Sequence, residues 1–416
     1  MIQWNVLLIT FLAIFIVSML VRLGLRFLNR QHLTRYGHVV PDVFKGEIEP
    51  DTLKRIRDYT VAVSNLGSIE ILVDDLADLV IILSGFLPYL AGTHLLSGLH
   101  PVLAGIVFMF ACSFLLGVIE VPFDLYGTFV IERRFGFSTI TFKLWLKDQI
   151  KTLLLSGLIM GVILAVFLEL LYSLPRLWWL PAWVCFVLFQ LLLTWLYPKV
   201  IAPLFNKFEP IDDETLKKSI GELLERAGFH LTGLFKMDAS TRSRHTNAYF
   251  TGIGKFKRIV LFDTLINTHT PEEITAVLAH ELGHLKKGHV RKQLAASVVL
   301  SLVVLYVVAK LLAWTALYMT FGFQTIIPFA GLFLISIMGK PFTFFFIPIG
   351  SMISRRYERQ ADAYARELTG STVPLARALK RLAKDNLANL HPHPLYAWFY
   401  YSHPPLAQRI EALERS

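Results

Sequence analysis

The sequence predicts a mainly α-helical, polytopic membrane protein. Hydrophobic residues make up 54% of the chain and charged residues 17%, whereas a soluble protein carries about a quarter charged residues. Several apolar runs also reach the roughly 20 residues that a helix needs to cross a bilayer. A soluble protein with a large buried core is the alternative, and the repetition of such long runs argues against it.

Seven segments have the length and the apolar character of transmembrane helices. They are residues 4–23, 71–91, 102–121, 153–174, 178–197, 294–318 and 326–350. Two long polar regions remain outside these spans. We therefore divide the chain into five spans with their loops (1–197), a first polar region (198–292), the last two spans (293–350) and a second polar region (351–416).

The loops predict the orientation in the membrane. Lys and Arg are frequent after the first span, between the third and fourth, and between the fifth and sixth, whereas the alternate loops contain Arg176 alone. Because cytoplasmic loops carry the excess of basic residues, we expect the N-terminus outside and the C-terminus in the cytosol. Both polar regions then lie on the cytosolic side, where they can form one domain.

The net charge of +10 agrees with a membrane protein. Surplus Lys and Arg then face the cytosol and lipid head groups, so we expect membrane lipid as a partner and no nucleic acid. Cys112 and Cys185 lie within apolar runs, which argues against a disulfide framework. No basic segment precedes the first apolar run, so we expect a retained anchor and not a cleaved signal peptide.

Several charged residues lie within or at the ends of the predicted spans. They are Asp74, Asp75, Asp78, Glu120, Glu169, Lys310 and Lys340. Charges at such depth normally face the interior of a helical bundle or a water-filled cavity. The alternative is that some lie near the interfaces, where a long side chain brings its charge to the head groups.

The segment "VLAHELGHLKKGH" in the first polar region carries a candidate metal site. It belongs to a predicted helix that begins with Thr270 and Pro271, a favourable N-cap and first residue. His280 and His284 are four residues apart, so both imidazoles leave one face and can hold two corners of a coordination sphere. Glu281 is rotated by about 100° and could take a proton from a metal-bound water. An amphipathic helix with partly exposed histidines is the alternative.

A catalytic metal of this type needs a third protein ligand and one open position. The longer motif with a third histidine nearby is excluded, because Val290 and Lys287 occupy the positions that would have to be His and Gly. His289 points about 140° away from His284 around a continuous helix. We therefore expect His289 behind the ligands or at the surface.

A better third ligand follows the last span, in "SRRYERQADAYARELTG". Glu358 and Asp362 are four residues apart on a predicted helix and share a face. Glu358 would complete a site of two histidines and one glutamate, as in thermolysin-like (gluzincin) proteases. Asp362 could then orient a ligand imidazole from behind. A solvated helix face with acidic residues among arginines explains the spacing equally well.

The chain resembles the integral-membrane zinc proteases of the CAAX prenyl protease type 1 family. The resemblance rests on "HELGHLKKGH" and "SRRYERQADAYA", together with "YGTFVIERRFGFSTIT", "YPKVIAPLFNKFEPI", "NAYFTGIGKFKRIVLFDTL" and "LAKDNLANLHPHPLYAWFYYSHPPLAQRI". These segments occur in the order of the family and cover most of the chain, and the N-terminal part is the least distinctive.

The resemblance implies both an architecture and a metal site. The architecture is a seven-helix barrel around a large water-filled chamber, with a cytosolic zinc-protease domain that contains a small sheet. The metal site is one Zn²⁺ per chain, held by His280, His284 and Glu358, with Glu281 as the catalytic glutamate.

The same resemblance gives three residues a part in substrate binding. Asn247 and His403 match positions thought to hold the substrate backbone or stabilise the oxyanion, and Arg409 belongs to the same C-terminal motif. A histidine can donate to developing negative charge, and an asparagine can donate and accept; a structural histidine and a turn-forming asparagine are the alternatives. The run "RIVLFDTLI" is predicted to be a strand, and an edge strand beside the metal would pair with an extended peptide.

These features predict a zinc-dependent metalloendopeptidase in the membrane that acts on a peptide or a lipidated protein. The reaction that names the family removes the last three residues after a prenylated cysteine. General turnover of membrane or misfolded peptides is the first alternative. A transporter that uses the charged spans and a non-catalytic scaffold are more remote. The intact Glu281 argues against a scaffold, because a structural metal site needs no glutamate between its histidines.

Overall fold

The computed structural model describes residues 2–251 and 256–415. The helices of the first half are α1 (Val6–Tyr36), α2 (Pro50–Leu83), α3 (Phe86–Ala91), α4 (His94–Ser97), α5 (Pro101–Tyr126), α6 (Glu132–Arg134), α7 (Phe142–Ser173), α8 (Trp179–Leu196) and α9 (Ala202–Phe205). Two π-helical turns, Gly127–Ile131 and Tyr197–Ile201, extend α5 and α8.

The second half combines helices with a small sheet. Its helices are α10 (Glu214–Ala227), α11 (Asp263–Thr268), α12 (Pro271–Lys286), α13 (His289–Leu312), α14 (Thr315–Thr320), α15 (Pro328–Phe344), α16 (Ile347–Thr369), α17 (Val373–Asp385), α18 (Pro394–Tyr400) and α19 (Leu406–Glu414). The strands are β1 (Phe208–Pro210), β2 (His230–Met237), β3 (Ala248–Thr251) and β4 (Phe256–Phe262), in the order β1-β2-β4-β3. β2 and β4 are parallel, and the other two pairs are antiparallel.

Within the described residues, five helical segments can each cross a membrane by length and composition: α1, α7, α13, Pro101–Arg134 and Trp179–Phe205. The seventh predicted span is not one straight helix, because α15 and α16 qualify only as a pair bent by 56°. The second predicted span (71–91) is divided between α2 and α3, which are separated by Ser84 and Gly85. α2 itself does not qualify because it has four acidic residues at positions 70–83. A mainly helical membrane protein is confirmed, and the seven-helix barrel stays a prediction.

Two aspartates within the second predicted span form ion pairs with other helices. Asp75 of α2 lies 2.6 Å from Arg22 of α1, and Asp78 of α2 lies 2.7 Å from Lys340 of α15. Both aspartates are buried, so for these two the expected position in the bundle interior is confirmed. Glu120, Glu169 and Lys310 are exposed, and whether they face a water-filled cavity or a membrane interface stays a prediction.

The helix α2 joins two hydrophobic cores. Its last turn contributes Ile81 and Ile82 to a core that also contains buried side chains of α1, α5, α7, α14 and α15. Its first turns contribute Leu53 and Ile56 to a second core around the sheet. This second core contains buried residues of α10, α12, α16, α17 and α19. The two polar regions therefore share one core, while the proposed domain boundaries stay predictions.

Candidate metal centre

The histidine pair lies on α12, whose start is fixed by its own side chains. The Thr270 hydroxyl accepts a hydrogen bond from the Glu273 amide (3.3 Å), and the Glu273 carboxylate accepts one from the Thr270 amide (2.9 Å). This reciprocal cap satisfies two amides at the start of the helix. Pro271 follows as the first helical residue, so the predicted start of the helix is confirmed.

Gly283, between the two histidines, allows α12 to approach α16 closely. A methyl group on its Cα would lie 2.8 Å from the Cα and 2.9 Å from the carbonyl oxygen of Ala361. These are backbone atoms of a packed helix, which cannot rotate away as the end of a flexible side chain can. The glycine therefore brings the helix of the two histidines directly against the helix of the predicted third ligand.

Three side chains meet where these helices touch. The Nε2 atoms of His280 and His284 are 3.2 Å apart, and they lie 3.4 and 3.2 Å from the two carboxylate oxygens of Glu358. Across residues 2–251 and 256–415, this is the one group of three or more His, Cys, Asp or Glu side chains close enough to hold a metal. Glu358 is only 3% exposed, so it does not belong to a solvated helix face.

The spacing of these atoms fits a tetrahedral metal. Two ligands bonded at about 2.0–2.1 Å in that geometry are about 3.3–3.4 Å apart, and the observed separations are 3.2 to 3.4 Å. Among the described residues, Glu358 Oε2 is also one of few buried side-chain atoms without a well-formed hydrogen bond, and Arg409 lies only loosely beside it, at 3.5 Å. A cation in direct contact would stabilise a carboxylate oxygen buried in this way.

Asp362 and Arg409 support His280 from the buried side. His280 Nδ1 lies 2.8 Å from Asp362 Oδ1, so the ring can donate its N–H there and keep Nε2 for a metal. Arg409 donates to both oxygens of Asp362, at 2.7 and 2.6 Å. Burial alone would lower the pKa of His280 and of Arg409, but hydrogen bonds to Asp362 raise the pKa of both above the usual values. Protons therefore compete with a metal for His280 as the pH falls.

The predicted catalytic and substrate residues occupy different positions around this cluster. Glu281 is half-buried next to His280, and its charge acts on Arg409. His403 lies just before α19 with its side chain 60% exposed, and its Nδ1 is 2.8 Å from Glu358 Oε2. Arg409 was expected to contact substrate, but it is buried and bound to Asp362. Its contacts are with residues of the metal site.

The strand beside the site is β3 and not β4. The strand predicted in "RIVLFDTLI" is confirmed for "RIVLF", the last part of β4, whereas "DTLI" begins α11. β4 is not an edge strand, because it lies between β2 and β3. In the described sheet β3 is the outermost strand on this side, and it contacts α12. Asn247 immediately precedes β3 and is exposed. Its main-chain carbonyl oxygen accepts a hydrogen bond from the Phe262 main-chain amide (3.1 Å).

The site contains residues that the sequence did not single out. Gly283 has no chemical group to attract notice, and Gln360 lies between Glu358 and Asp362 on α16 without a recognisable motif of its own. Its carboxamide oxygen lies 2.9 Å from Nε2 of His289. The one signal for such residues is their position within one turn of a predicted ligand on the same helix.

Comparisons with known proteins agree with the fold and the site. Residues 29–207 match the model of the CAAX prenyl protease N-terminal region with five membrane helices, and residues 210–416 match peptidase family M48. CAAX prenyl protease 1 of Saccharomyces cerevisiae is 36% identical, over 90% of this chain and 88% of the relative. The homolog of Homo sapiens is 31% identical, over 91% and 89%. The crystal structure of S. mikatae Ste24p has a TM-score of 0.90 at 34% identity, and 97% of both chains is covered.

The fold and the site together define a membrane-embedded metalloprotease. The chain belongs to the CAAX prenyl protease 1 family, within peptidase family M48. The resemblance noted in the sequence is thereby confirmed, and with it the expectation of a metal cofactor.

The close contact at Gly283 predicts that a single methyl group disturbs the metal site. Gly283→Ala should lower the melting temperature and weaken metal binding by about 5- to 150-fold, because overpacking costs about 1–3 kcal/mol. Chelator competition and thermal unfolding of the purified protein measure both effects. Gly221→Ala in α10 is the matched control, since nothing lies within 4 Å of the added methyl group. Equal behaviour of the two variants would show that the contact does not set the site.

Proposed function

We propose that this protein is a zinc-dependent endopeptidase that cleaves near the C-terminus of prenylated CAAX proteins. The observation that carries the proposal is the convergence of His280, His284 and Glu358 at mutual distances of 3.2 to 3.4 Å, with Glu281 beside them. Two imidazoles and one carboxylate, with a position left for water, form the ligand set of catalytic zinc in thermolysin-like enzymes.

The bound metal would polarise the scissile carbonyl group and lower the pKa of a water molecule to about 7. Glu281 takes a proton from the attacking water and delivers it to the leaving amine. The position of Glu281 suits this role as a proton acceptor and donor. Glu281 is adjacent to His280 in sequence, yet it is rotated by about 100° around the helix from His280. Asp362 and Arg409 keep His280 oriented during these steps.

The substrate is proposed to lie along β3. The outermost strand of a sheet offers unpaired main-chain groups to an extended peptide, and β3 contacts the helix of the metal ligands. Asn247, exposed at the start of this strand, would hold the substrate backbone. His403 reaches Glu358 from the solvent-exposed side, where its imidazole could donate to the oxyanion.

The proposed substrate class comes from the relatives, which are named CAAX prenyl proteases. They align with nine-tenths of this chain, so the membrane part and the protease part are both shared. A substrate that loses its C-terminal tripeptide after a prenylated cysteine contains both an apolar lipid and the peptide bond to be cleaved. A protein that places a peptidase site on helices leaving a bilayer suits such a substrate.

The role of Glu281 predicts a separation of metal binding from turnover. Glu281→Gln should retain one zinc per chain and lose activity by about 10²-fold or more, because the amide cannot accept the proton. Metal analysis and mass spectrometry of peptide products measure the two properties. Glu272→Gln, in the first turn of the same helix, is the control and should remain active. Turnover by Glu281→Gln at the wild-type rate would remove Glu281 from the mechanism.

The lipid requirement is tested with two peptides of one sequence. We expect the wild-type protein to release the C-terminal tripeptide from a farnesylated CAAX peptide much faster than from the unmodified peptide. Mass spectrometry follows both products, and Glu281→Gln provides the blank. Equal rates would favour general peptide turnover over CAAX processing. Solute flux in liposomes without cleavage of either peptide would favour a transporter.

We also propose that the N-terminus lies outside and that the metal site and C-terminus lie in the cytosol, from the distribution of basic residues. In a variant without Cys112 and Cys185, the exposed positions Ser97 and Ser371 can each carry one cysteine. A membrane-impermeant maleimide is applied to sealed vesicles whose outer side is the non-cytosolic side. It should label Ser97→Cys and leave Ser371→Cys unlabelled until detergent is added. The reverse pattern would invert the topology.

A further inference from the structure

His289 occupies a buried position against the metal ligands. It is 1% exposed, and its ring stacks on that of Tyr357 with the centroids 4.1 Å apart and the planes at 11°. A continuous helix would have turned it away from His284, but α12 ends at Lys286. Gly288 then adopts a left-handed conformation (φ +67°) before α13 starts at His289. This reversal brings the His289 ring back beside His284.

A chain of hydrogen bonds runs from His284 through His289 to α16. His284 Nδ1 lies 3.0 Å from His289 Nδ1, and His289 Nε2 lies 2.9 Å from the carboxamide oxygen of Gln360. The other ring nitrogen of His284, Nε2, faces His280 and Glu358. One end of the His284 ring therefore belongs to the ligand cluster, and the other end belongs to His289.

The protons in this chain can be assigned from valence. A histidine that binds a metal through Nε2 carries its proton on Nδ1, which then only donates. His289 Nδ1 must accept that hydrogen bond, so the His289 proton is on Nε2. There it donates to Gln360 Oε1, an acceptor that carries no proton. Each of the four atoms has one consistent role.

We propose that His289, whose own tautomer is fixed by Gln360, is a positioning residue that holds the His284 imidazole in its ligating tautomer and orientation. The two histidine ligands are then supported differently: His280 by the negatively charged Asp362, and His284 by an uncharged histidine and amide. Such outer partners fix ring orientation and ligand basicity. The inference rests on the proposed zinc site and adds the residues that shape one of its ligands.

The test compares His289→Asn with His289→Leu. Asparagine and leucine branch at the same carbon and have similar size, but only asparagine places an acceptor oxygen near the position of the histidine Nδ1. Both variants lose the stacking on Tyr357 and the bond to Gln360. Any loss of packing or folding therefore affects both, and the ratio of their metal affinities reports the acceptor alone.

Zinc affinity is measured by chelator competition on the purified full-length protein, and the visible spectrum of the Co²⁺-substituted protein reports the ligand geometry. We expect His289→Leu to bind zinc about 10- to 100-fold more weakly than wild type, with an altered Co²⁺ spectrum. His289→Asn should retain most of the affinity and a spectrum close to that of wild type. Equal zinc affinities and equal spectra for the two variants would overturn the positioning role.

Failure of the zinc site itself would look different. In that case the wild-type protein would not bind one zinc per chain, or His284→Ala would bind zinc as well as wild type does. The comparison of the two His289 variants is therefore made after stoichiometric binding by wild type. Agreement of their melting temperatures without metal confirms that the two variants are matched in folding.

Discussion

The contact of Gly283 with Ala361 is the constraint on which the metal site depends. Ala361 lies three residues after Glu358 and one before Asp362, so the position where the helices touch also fixes the ligand carboxylate and the carboxylate behind His280. A methyl group at 283 would lie 2.8 Å from the Ala361 Cα, so the two helices would have to move apart. Metal–ligand distances tolerate a shift of only about 0.2 Å. Close backbone packing thus sets the spacing of His280, His284 and Glu358.

The electrostatics of the site explain why so many charges can be buried together. Glu358 and Asp362 are both nearly inaccessible, and two carboxylates in one pocket repel each other unless cations compensate them. Arg409 neutralises Asp362 through two short hydrogen bonds. Glu358 is contacted by three histidine rings and, more loosely, by Arg409, which lies 3.5 Å from its Oε2. A divalent cation bound between the two histidines and Glu358 would add the remaining positive charge.

The membrane helices and the protease site are connected by shared helices. α2 carries residues of both hydrophobic cores, and α16 follows the bend after α15 and delivers Glu358. Within the bundle, Asp75 and Asp78 are paired with Arg22 and Lys340, which allows α2 to keep acidic residues where an unpaired charge is costly. Helix packing in the bundle therefore contributes to the position of Glu358.

The sequence by itself determined the membrane class, the helix of the histidines and the chemistry of the ligands, because hydropathy, capping and i,i+4 spacing act over short distances. It also carried the family resemblance, which the comparisons confirm. Only the tertiary structure decided that Glu358 meets the histidines, that Arg409 supports Asp362, that β3 is the outermost strand, and that His289 turns back onto His284. These depend on contacts between segments far apart in the chain, and on a left-handed glycine that ends a helix which periodicity alone would continue.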